Sequence, residues 1–292
     1  MPLFEKLHSG DFVVLGEFEP PKGSDFSTLA RNASLVRGRL DALVVPEMAN
    51  AVLKASSLGA CAYLQAKGID TVFQVCARDR NRLALQADIL SAGALGIANI
   101  MAITGEDIQF GDHPHARTVN DLELPELLNV IQNFRNGKDL SGIELQGTPP
   151  QFCVGSRVNA GAPGGLLEIE LEGLKEKIDL GVAYVVTNPI FDIRRYEQFR
   201  KRVPTKDIVV IPTILLLKSA GMARYIDRNV KGISIPAEMI RNIQKAPDKP
   251  KACIQLAGET ISRLRDMGAP GVLVSTLGWD DRLPLVLDEA NL

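Results

Sequence analysis

The segment Gly96-Ile97-Ala98-Asn99-Ile100-Met101-Ala102-Ile103-Thr104 contains the pattern that decides the fold. A helical pattern over residues 85–94 comes before its glycine, and an apolar run from 99 to 104 follows. A glycine just past a helix adopts the left-handed C-cap conformation at little cost. A continuous apolar run is typical of a strand in a parallel sheet that is covered by helices. The segment therefore predicts a helix that returns directly into a buried strand.

The same unit recurs along the chain. Helical patterns that end in a glycine or a short polar break precede apolar runs at 71–76, 99–104, 184–187 and 271–276. Four further β-prone runs lie at 12–18, 42–45, 152–155 and 208–213. Eight strands, each followed by helical sequence, predict an α/β protein with a single (β/α)₈ TIM barrel, one domain over residues 1–292. A doubly wound open sheet is the alternative, but the glycine-rich dinucleotide turn and the P-loop are absent.

Composition excludes several classes of protein. The chain of 292 residues is 46% hydrophobic and 23% charged. Its net charge is −2 and it has no basic block, so the sequence indicates neither a nucleic acid nor an anionic membrane as a binding partner. The longest apolar run is interrupted by Pro212 and is too short to span a bilayer, and the N-terminus has no signal-peptide core. Four scattered cysteines and three histidines show no zinc spacing. We expect a cytoplasmic protein without a structural metal.

Polar residues are concentrated where the predicted strands end, which in a barrel is the side that carries the chemistry. Glu17 and Glu19 follow the first strand two residues apart, so they point the same way on an extended chain, and Pro20-Pro21 ends the strand after them. Taken alone, these carboxylates fit a solvated turn better than a catalytic site, since charged turn residues are common. Comparable polar groups follow the other strands, namely Glu47, Gln74, Arg78, Thr104, Glu106, Arg157, Asn188, Lys218, Ser275 and Thr276.

Three motifs together resemble the methylenetetrahydrofolate reductases, in particular the flavin-dependent bacterial type. They are Gly16-Glu17-Phe18-x-Pro20-Pro21-Lys22, then Ala102-Ile103-Thr104-Gly105-Glu106, and Asp179-x-Gly181 with Thr187-Asn188-Pro189-x-Phe191-Asp192. The resemblance extends from about Val14 to Thr276. It implies a flavin-containing (β/α)₈ barrel, with FAD or possibly FMN, that reduces 5,10-methylenetetrahydrofolate to 5-methyltetrahydrofolate. It also implies a homo-oligomer.

The resemblance assigns the two catalytic carboxyls. Glu17 matches the general acid that protonates the bridging nitrogen, so that the ring opens to an iminium that accepts hydride. That role needs a carboxyl that is still protonated near neutral pH, which burial against apolar rings favours. Glu106 matches an acidic residue that lies near flavin and pterin and favours the cationic iminium. Because Asp107 follows it, either of the two could face the flavin.

The resemblance also implies binding residues. Flavin contacts are expected from Gln74, Thr104, Gly105, Glu106, Val119, Asp121, Arg157 and Lys177, and folate contacts from Glu17, Asn188 and Thr276. Arg157 replaces an aromatic flavin contact, and its guanidinium could stack or pair with phosphate. A solvated helix charge is an equally good interpretation of Lys177.

Departures from the family pattern concern the folate contact and the electron donor. Asn188 replaces the family's folate-binding glutamine, and the proline usual after the seventh strand is missing at Thr213-Ile214-Leu215-Leu216. No aromatic residue near Ser219-Ala220-Gly221 matches the one that stacks on NADH. The donor is therefore NAD(P)H or a partner subunit that carries iron–sulfur clusters. Two other hypotheses stay open: a subunit that needs such a partner, and a methyltransferase-type barrel that binds pterin without flavin.

Overall fold

The strands of the computed structural model, which describes residues 2–292, close into one parallel barrel in chain order. Glu17 lies in register with Ser275, so the first strand pairs with the last and completes the cylinder. This arrangement confirms the predicted (β/α)₈ barrel. The strands are β1 (Val13–Glu17), β2 (Ala42–Val45), β3 (Thr71–Cys76), β4 (Asn99–Ile103), β5 (Cys153–Val158), β6 (Tyr184–Pro189), β7 (Val209–Leu215) and β8 (Gly271–Ser275).

Helices surround the barrel, and the glycines that follow them behave as the sequence pattern predicts. Gly68, Gly96, Gly181 and Gly268 all have positive φ, between 70° and 79°, so each helix turns directly toward its strand. The helices are α1 (Leu3–Ser9), α2 (Ser27–Leu35), α3 (Ser57–Gln65), α4 (Arg82–Ala94), α5 (Leu124–Arg135), α6 (Leu166–Asp179), α7 (Ile193–Arg200), α8 (Ala220–Asn229), α9 (Ala237–Lys245), α10 (Lys249–Asp266) and α11 (Leu283–Glu289).

Three strands are longer than the sequence predicts. β5 continues past 155 to Val158, β6 past 187 to Pro189 and β7 past 213 to Leu215. The polar pair Ser156-Arg157 looks like the start of a loop in the sequence. In the fold the Ser156 hydroxyl donates to the carbonyl of Ala102 at 2.9 Å, so a polar side chain is satisfied on a buried strand.

Helix α1 closes the lower, N-terminal end of the barrel. Its Leu3 and Leu7 are buried in the same cluster as Val13 and Leu15 of β1. Lys6 of this helix pairs with Asp41 at 2.6 Å, and Asp41 in turn accepts a hydrogen bond from the amide of Val14 at 2.7 Å. The interior is therefore packed at its lower end, as expected of this fold.

The C-terminal residues also lie toward the lower end. Arg39, in the connection that leads into β2, donates to the carbonyl of Leu292 at 2.6 Å and pairs with Asp288 at 2.8 Å. Polar functional groups are therefore expected at the opposite, C-terminal end of the strands. None of the helices between residues 2 and 292 has the length and apolar character needed to cross a bilayer.

Candidate active site at the mouth of the barrel

Glu17 ends β1 and turns its carboxylate into the upper mouth of the barrel. Its Oε1 accepts a hydrogen bond from the hydroxyl of Ser275 at 2.7 Å, and its Oε2 lies 3.3 Å from Nη2 of Arg157. Only 13% of the side chain is exposed. Ser275 is adjacent to Glu17 because β1 and β8 pair in parallel register, a relationship that the separate sequence motifs do not reveal.

Glu106 reaches the same point from the loop after β4. Its Oε1 is 3.5 Å from Nη1 of Arg157, whereas its Oε2 is buried and has no hydrogen-bond partner. Asp107 is exposed and accepts a hydrogen bond from the amide of Gln109, so it caps its own short turn. Of the two acidic residues, Glu106 is therefore the one that faces inward.

Arg157, at the end of β5, lies between the two glutamates. Its guanidinium approaches both carboxylates, and 39% of the side chain is exposed. From the outer side, Nζ of Lys177 on α6 donates to the backbone carbonyl of Arg157 at 2.7 Å. Burial lowers the pKa of Lys177, so this lysine is a half-buried anchor of β5 and not a solvated helix charge.

Asn188, at the end of β6, contributes a second unpaired acceptor. Its amide nitrogen donates to the carbonyl of Gly232 at 3.1 Å, which fixes the orientation of the side chain. Its Oδ1 is buried and has no partner. Gly232 lies in the connection between α8 and α9, so this connection covers the β6 side of the mouth.

The sequence was compared with models of known protein families and with curated proteins. Residues 3–291 match the family model described as methylenetetrahydrofolate reductase. This chain belongs to the methylenetetrahydrofolate reductase family. A search of curated protein sequences finds no match.

Solved structures similar to this reductase-family chain agree on the fold. An uncharacterized protein from Clostridium thermocellum, described as binding two copies of 5-methyl-5,6,7,8-tetrahydrofolic acid, is 13% identical with a TM-score of 0.67, and the match covers 99% of this chain and 98% of that one. EDTA monooxygenase from Chelativorans sp. BNC1 is 12% identical with a TM-score of 0.58, and the match covers 96% of this chain and 92% of that one. DmoA from Hyphomicrobium sulfonivorans is 9% identical with a TM-score of 0.56, and the match covers 96% of this chain and 86% of that one. At these identities the similarity shows the barrel alone.

In this methylenetetrahydrofolate reductase homologue, the loop after β4 is shaped by Gly105. Its φ is +96°, and a Cβ at this position would come within 2.5 Å of Sγ of Cys76 and 3.0 Å of Cβ of Arg78. Arg78 donates to the carbonyl of Glu106 at 2.8 Å, and its own carbonyl accepts from the amide of Val119 at 2.8 Å. The loop is thereby folded back over β3, with Thr104 and Val119 exposed beside the mouth.

Asp121, expected as a flavin contact, has another role in this structure. Its carboxylate accepts from the amide of Arg82 at 2.8 Å and pairs with the Arg82 guanidinium at 3.0 Å. The hydrogen bonds from Arg82 lower the pKa of Asp121. Its carboxylate is therefore occupied in anchoring the end of the β4 loop to the start of α4.

Gln74, also expected at the flavin, is buried inside the barrel wall. Its Oε1 accepts from the amide of Glu47 at 3.0 Å, and its Nε2 lies 3.8 Å from Sδ of Met101. Glu47 is itself 2% exposed; it accepts from the amide of Ser57 at 2.6 Å and from Arg80 at 2.9 Å. This buried network holds the ends of β2 and β3 together, and it leaves Gln74 little freedom to reorient toward a ligand.

Thr276, expected at the folate, is fully buried just past β8. Its hydroxyl donates to Oδ1 of Asp280 at 2.5 Å, so in this structure it supports the turn that follows the strand. Burial raises the pKa of Asp280 to about 6, against the opposing effect of the Thr276 hydrogen bond. The sequence patterns do not single out Asp280, because a carboxylate in a polar turn usually faces solvent.

Proposed function

We propose that this protein is a flavin-dependent methylenetetrahydrofolate reductase, which converts 5,10-methylenetetrahydrofolate to 5-methyltetrahydrofolate. The observation that carries the proposal is the meeting of Glu17 and Glu106 at the mouth of the barrel in a chain that belongs to this family. The Clostridium thermocellum protein, described as binding 5-methyl-5,6,7,8-tetrahydrofolic acid and similar in fold to this chain, supports a folate as the ligand.

The unpaired acceptors fit a nitrogen heterocycle. Oε2 of Glu106 and Oδ1 of Asn188 are both buried without a donor, and a buried acceptor without a partner is unfavourable by about 1–3 kcal/mol. Ring N–H and amino groups, such as those of pterin and isoalloxazine, would supply the missing donors. A ligand with only acceptors along its edge would not.

In the proposed mechanism Glu17 acts as the general acid. Its carboxyl donates a proton to the bridging ring nitrogen of the folate, so that the five-membered ring opens to an iminium cation. Glu106 stabilises that cation by its negative charge, and Asn188 orients the pterin through Oδ1. A flavin bound beside Thr104, Gly105 and Val119 would supply the hydride. The limited exposure of Glu17 keeps bulk water away from the proton that it donates.

The cofactor and donor are tested first by spectroscopy. We expect the purified protein, as isolated or after incubation with FAD or FMN, to show a flavin spectrum that methylenetetrahydrofolate reoxidises after chemical reduction. Bleaching by NADH under anaerobic conditions identifies a self-sufficient reductase. A flavin that folate reoxidises but NADH does not reduce identifies an enzyme that needs a protein donor. Absence of flavin binding overturns the proposal and favours a pterin-binding barrel of another kind.

A further inference from the structure

The end of β6 departs from regular pairing with β7. Val186 pairs with Ile211, and the next pair is Pro189 with Thr213. Two residues of β6 therefore lie opposite the single residue Pro212, which has no amide N–H to donate to the ladder. An extra residue of this kind is a β-bulge, which changes the direction of a side chain. Contacts other than the ladder must therefore orient the two bulged residues, which are Thr187 and Asn188.

Two threonine hydroxyls replace the ladder bonds that the bulge interrupts. The hydroxyl of Thr187 accepts from the amide of Thr213 at 3.1 Å and donates to the carbonyl of Asn188 at 2.7 Å. The hydroxyl of Thr213 donates in turn to the carbonyl of Thr187 at 2.6 Å. The backbone of Asn188 is therefore held in place although it lies outside the regular ladder.

The carbonyl of Gly232 orients the side chain of Asn188. Nδ2 of Asn188 donates to this carbonyl at 3.1 Å. Because a carbonyl oxygen can only accept, the end of the side-chain amide beside it is the NH₂ group, and the other end is Oδ1. Oδ1 is buried and has no donor within residues 2–292. A half turn of the amide would place two acceptor oxygens together, so the orientation with Oδ1 unpaired is the stable one.

Two glycines allow the carbonyl of Gly232 to come this close. A Cβ on Gly161, in the loop after β5, would lie 1.9 Å from the carbonyl oxygen of Gly232 and 3.5 Å from Nδ2 of Asn188. A Cβ on Gly232 itself, where φ is +81°, would lie 2.6 Å from Oδ1 of Asn159. That oxygen accepts from the amide of Gly161 at 3.2 Å. A side chain at either glycine would therefore displace the connection between α8 and α9.

We propose that Gly161 and Gly232 are positioning residues that act through Asn188 and make its side chain an acceptor for an N–H group of the ligand. The Gly232 carbonyl occupies the donor end of the amide, so a ligand edge that offers only acceptors gains no hydrogen bond there. Because Oδ1 is covered, an N–H group reaches it after a small shift of a neighbouring loop, while the bond from Nδ2 keeps the amide oriented. The identity of the ligand as a folate rests on the proposed function, but the orientation of the amide does not.

The orientation is tested first without a ligand. Side-chain amide signals of nitrogen-15-labelled protein would be recorded by NMR, and the Asn188 pair would be assigned by its loss in Asn188→Ala. We expect its hydrogen-bonded proton to exchange with solvent more slowly than those of exposed asparagine side chains. In Gly161→Ala the exchange should become about tenfold faster, because the bond to Gly232 is lost. Unchanged exchange in folded Gly161→Ala would overturn the inference.

Binding of 5-methyltetrahydrofolate to the flavin-loaded protein, measured by calorimetry, tests whether the glycines act through Asn188. Asn188→Ala should weaken binding about three- to tenfold, the effect of one hydrogen bond. Gly161→Ala should weaken it by a similar factor in the wild-type protein, but hardly at all in Asn188→Ala. Additive losses would overturn the inference. Tighter binding in Gly161→Ala would also overturn it, since the connection would then block the amide.

Two further variants complete the test. Gly165→Ala lies in the same loop, where a Cβ meets nothing within 4 Å, and it should leave exchange and binding unchanged. Asn188→Asp keeps an acceptor but cannot donate to Gly232, so it should weaken binding about as much as Asn188→Ala. Wild-type affinity in Asn188→Asp would contradict the inference even if Gly161→Ala did not fold. If 5-methyltetrahydrofolate failed to bind the wild-type protein while exchange at Asn188 changed as expected, the proposed function would be wrong and the orienting role of the glycines would stand.

Discussion

The hydroxyl of Ser275 donates a hydrogen bond of 2.7 Å to Oε1 of Glu17, although the two residues are 258 positions apart. They meet because β1 and β8 are neighbours in the closed barrel and place these two residues in register. The bond leaves Oε2 of Glu17 as the oxygen that faces Arg157 and the mouth. Ser275 therefore fixes which oxygen of the proposed acid is directed toward a substrate.

Replacement of this hydroxyl should impair catalysis more than folding. We expect Ser275→Ala to lower folate turnover by about 10- to 150-fold, because a hydrogen bond to a charged group contributes about 1.5–3 kcal/mol. Ser156→Ala is the matched control, since its buried hydroxyl also donates from a strand, but to the carbonyl of Ala102. Steady-state kinetics and denaturant unfolding of both variants check this. Equal losses of turnover in the two would show that Ser275 does not orient Glu17.

Glu17 and Glu19 provide a test of the acid itself. Glu19 pairs with Lys54 at 3.3 Å, so despite its closeness in sequence to Glu17 it is not a partner of Arg157. We expect Glu17→Gln to reduce the rate of the folate half-reaction by about 10²–10⁴-fold, the usual contribution of a general acid, and to leave flavin reduction intact. Glu19→Gln should change either rate less than about threefold, because its partly exposed ion pair with Lys54 does not contact Glu17. Stopped-flow measurement of each half-reaction distinguishes the two, and unchanged folate reduction in Glu17→Gln would contradict the assigned role.

Gly105 should be far less tolerant of a side chain than another glycine of similar conformation. Both Gly105 and Gly142 have positive φ, but a Cβ on Gly142 meets nothing within 4 Å, whereas one on Gly105 meets Cys76 and Arg78. We expect Gly142→Ala to lower the free energy of unfolding by about 1–2 kcal/mol. Gly105→Ala should lower the free energy of unfolding by about 1–3 kcal/mol more than Gly142→Ala, because its Cβ overpacks the loop. Denaturant unfolding measures both, and equal losses would mean that the contact with Cys76 relaxes freely.

Asp280 should make the protein less stable as pH rises. Its pKa is about 6 in the folded state against 3.8 for the unperturbed group. The folded state thus holds this proton more tightly, and the associated stability is present below pH 3.8 and is lost as pH rises to about 6. The shift of roughly two units corresponds to about 3 kcal/mol.

The variant Asp280→Asn isolates this contribution from those of all other titrating groups. Its amide oxygen can still accept from Thr276, but it has no charge to bury. We expect the difference in unfolding free energy between Asp280→Asn and the wild-type protein to change in favour of the variant between pH 4 and pH 7. A difference that is constant over this range would show that Asp280 titrates normally.

The sequence predicts the barrel well because its signal is local. A helix, a glycine and an apolar run lie within about 20 residues of each other. The turn at a glycine such as Gly96 depends only on the positive φ of that residue and on no distant contact. Of the strands that run past their predicted ends, β5 extends into the polar pair Ser156-Arg157 and β6 into Asn188-Pro189. Local patterns cannot show that the Ser156 hydroxyl finds a carbonyl on the neighbouring strand.

The site was less predictable because its contacts are distant in sequence. Glu17, Glu106 and Asn188 could be chosen from motifs, and the structure brings Glu17 and Glu106 together around Arg157. Ser275 was not assigned its role, since only the closure of the barrel puts it beside Glu17. Asp280 lies four positions from Thr276, and the sequence does not show that this turn carboxylate is buried. A motif likewise does not predict that the Asp121 carboxylate accepts a hydrogen bond from Arg82, which lies 39 positions away.

Both ends of the described chain lie away from the opening that holds Glu17. Leu3 packs into the opposite end of the cylinder, and Leu292 is held by Arg39. A fluorescent protein or an affinity tag joined to either terminus would therefore leave the opening unobstructed. The protein could be immobilised on a sensor surface through either of these segments without covering the opening that holds Glu17.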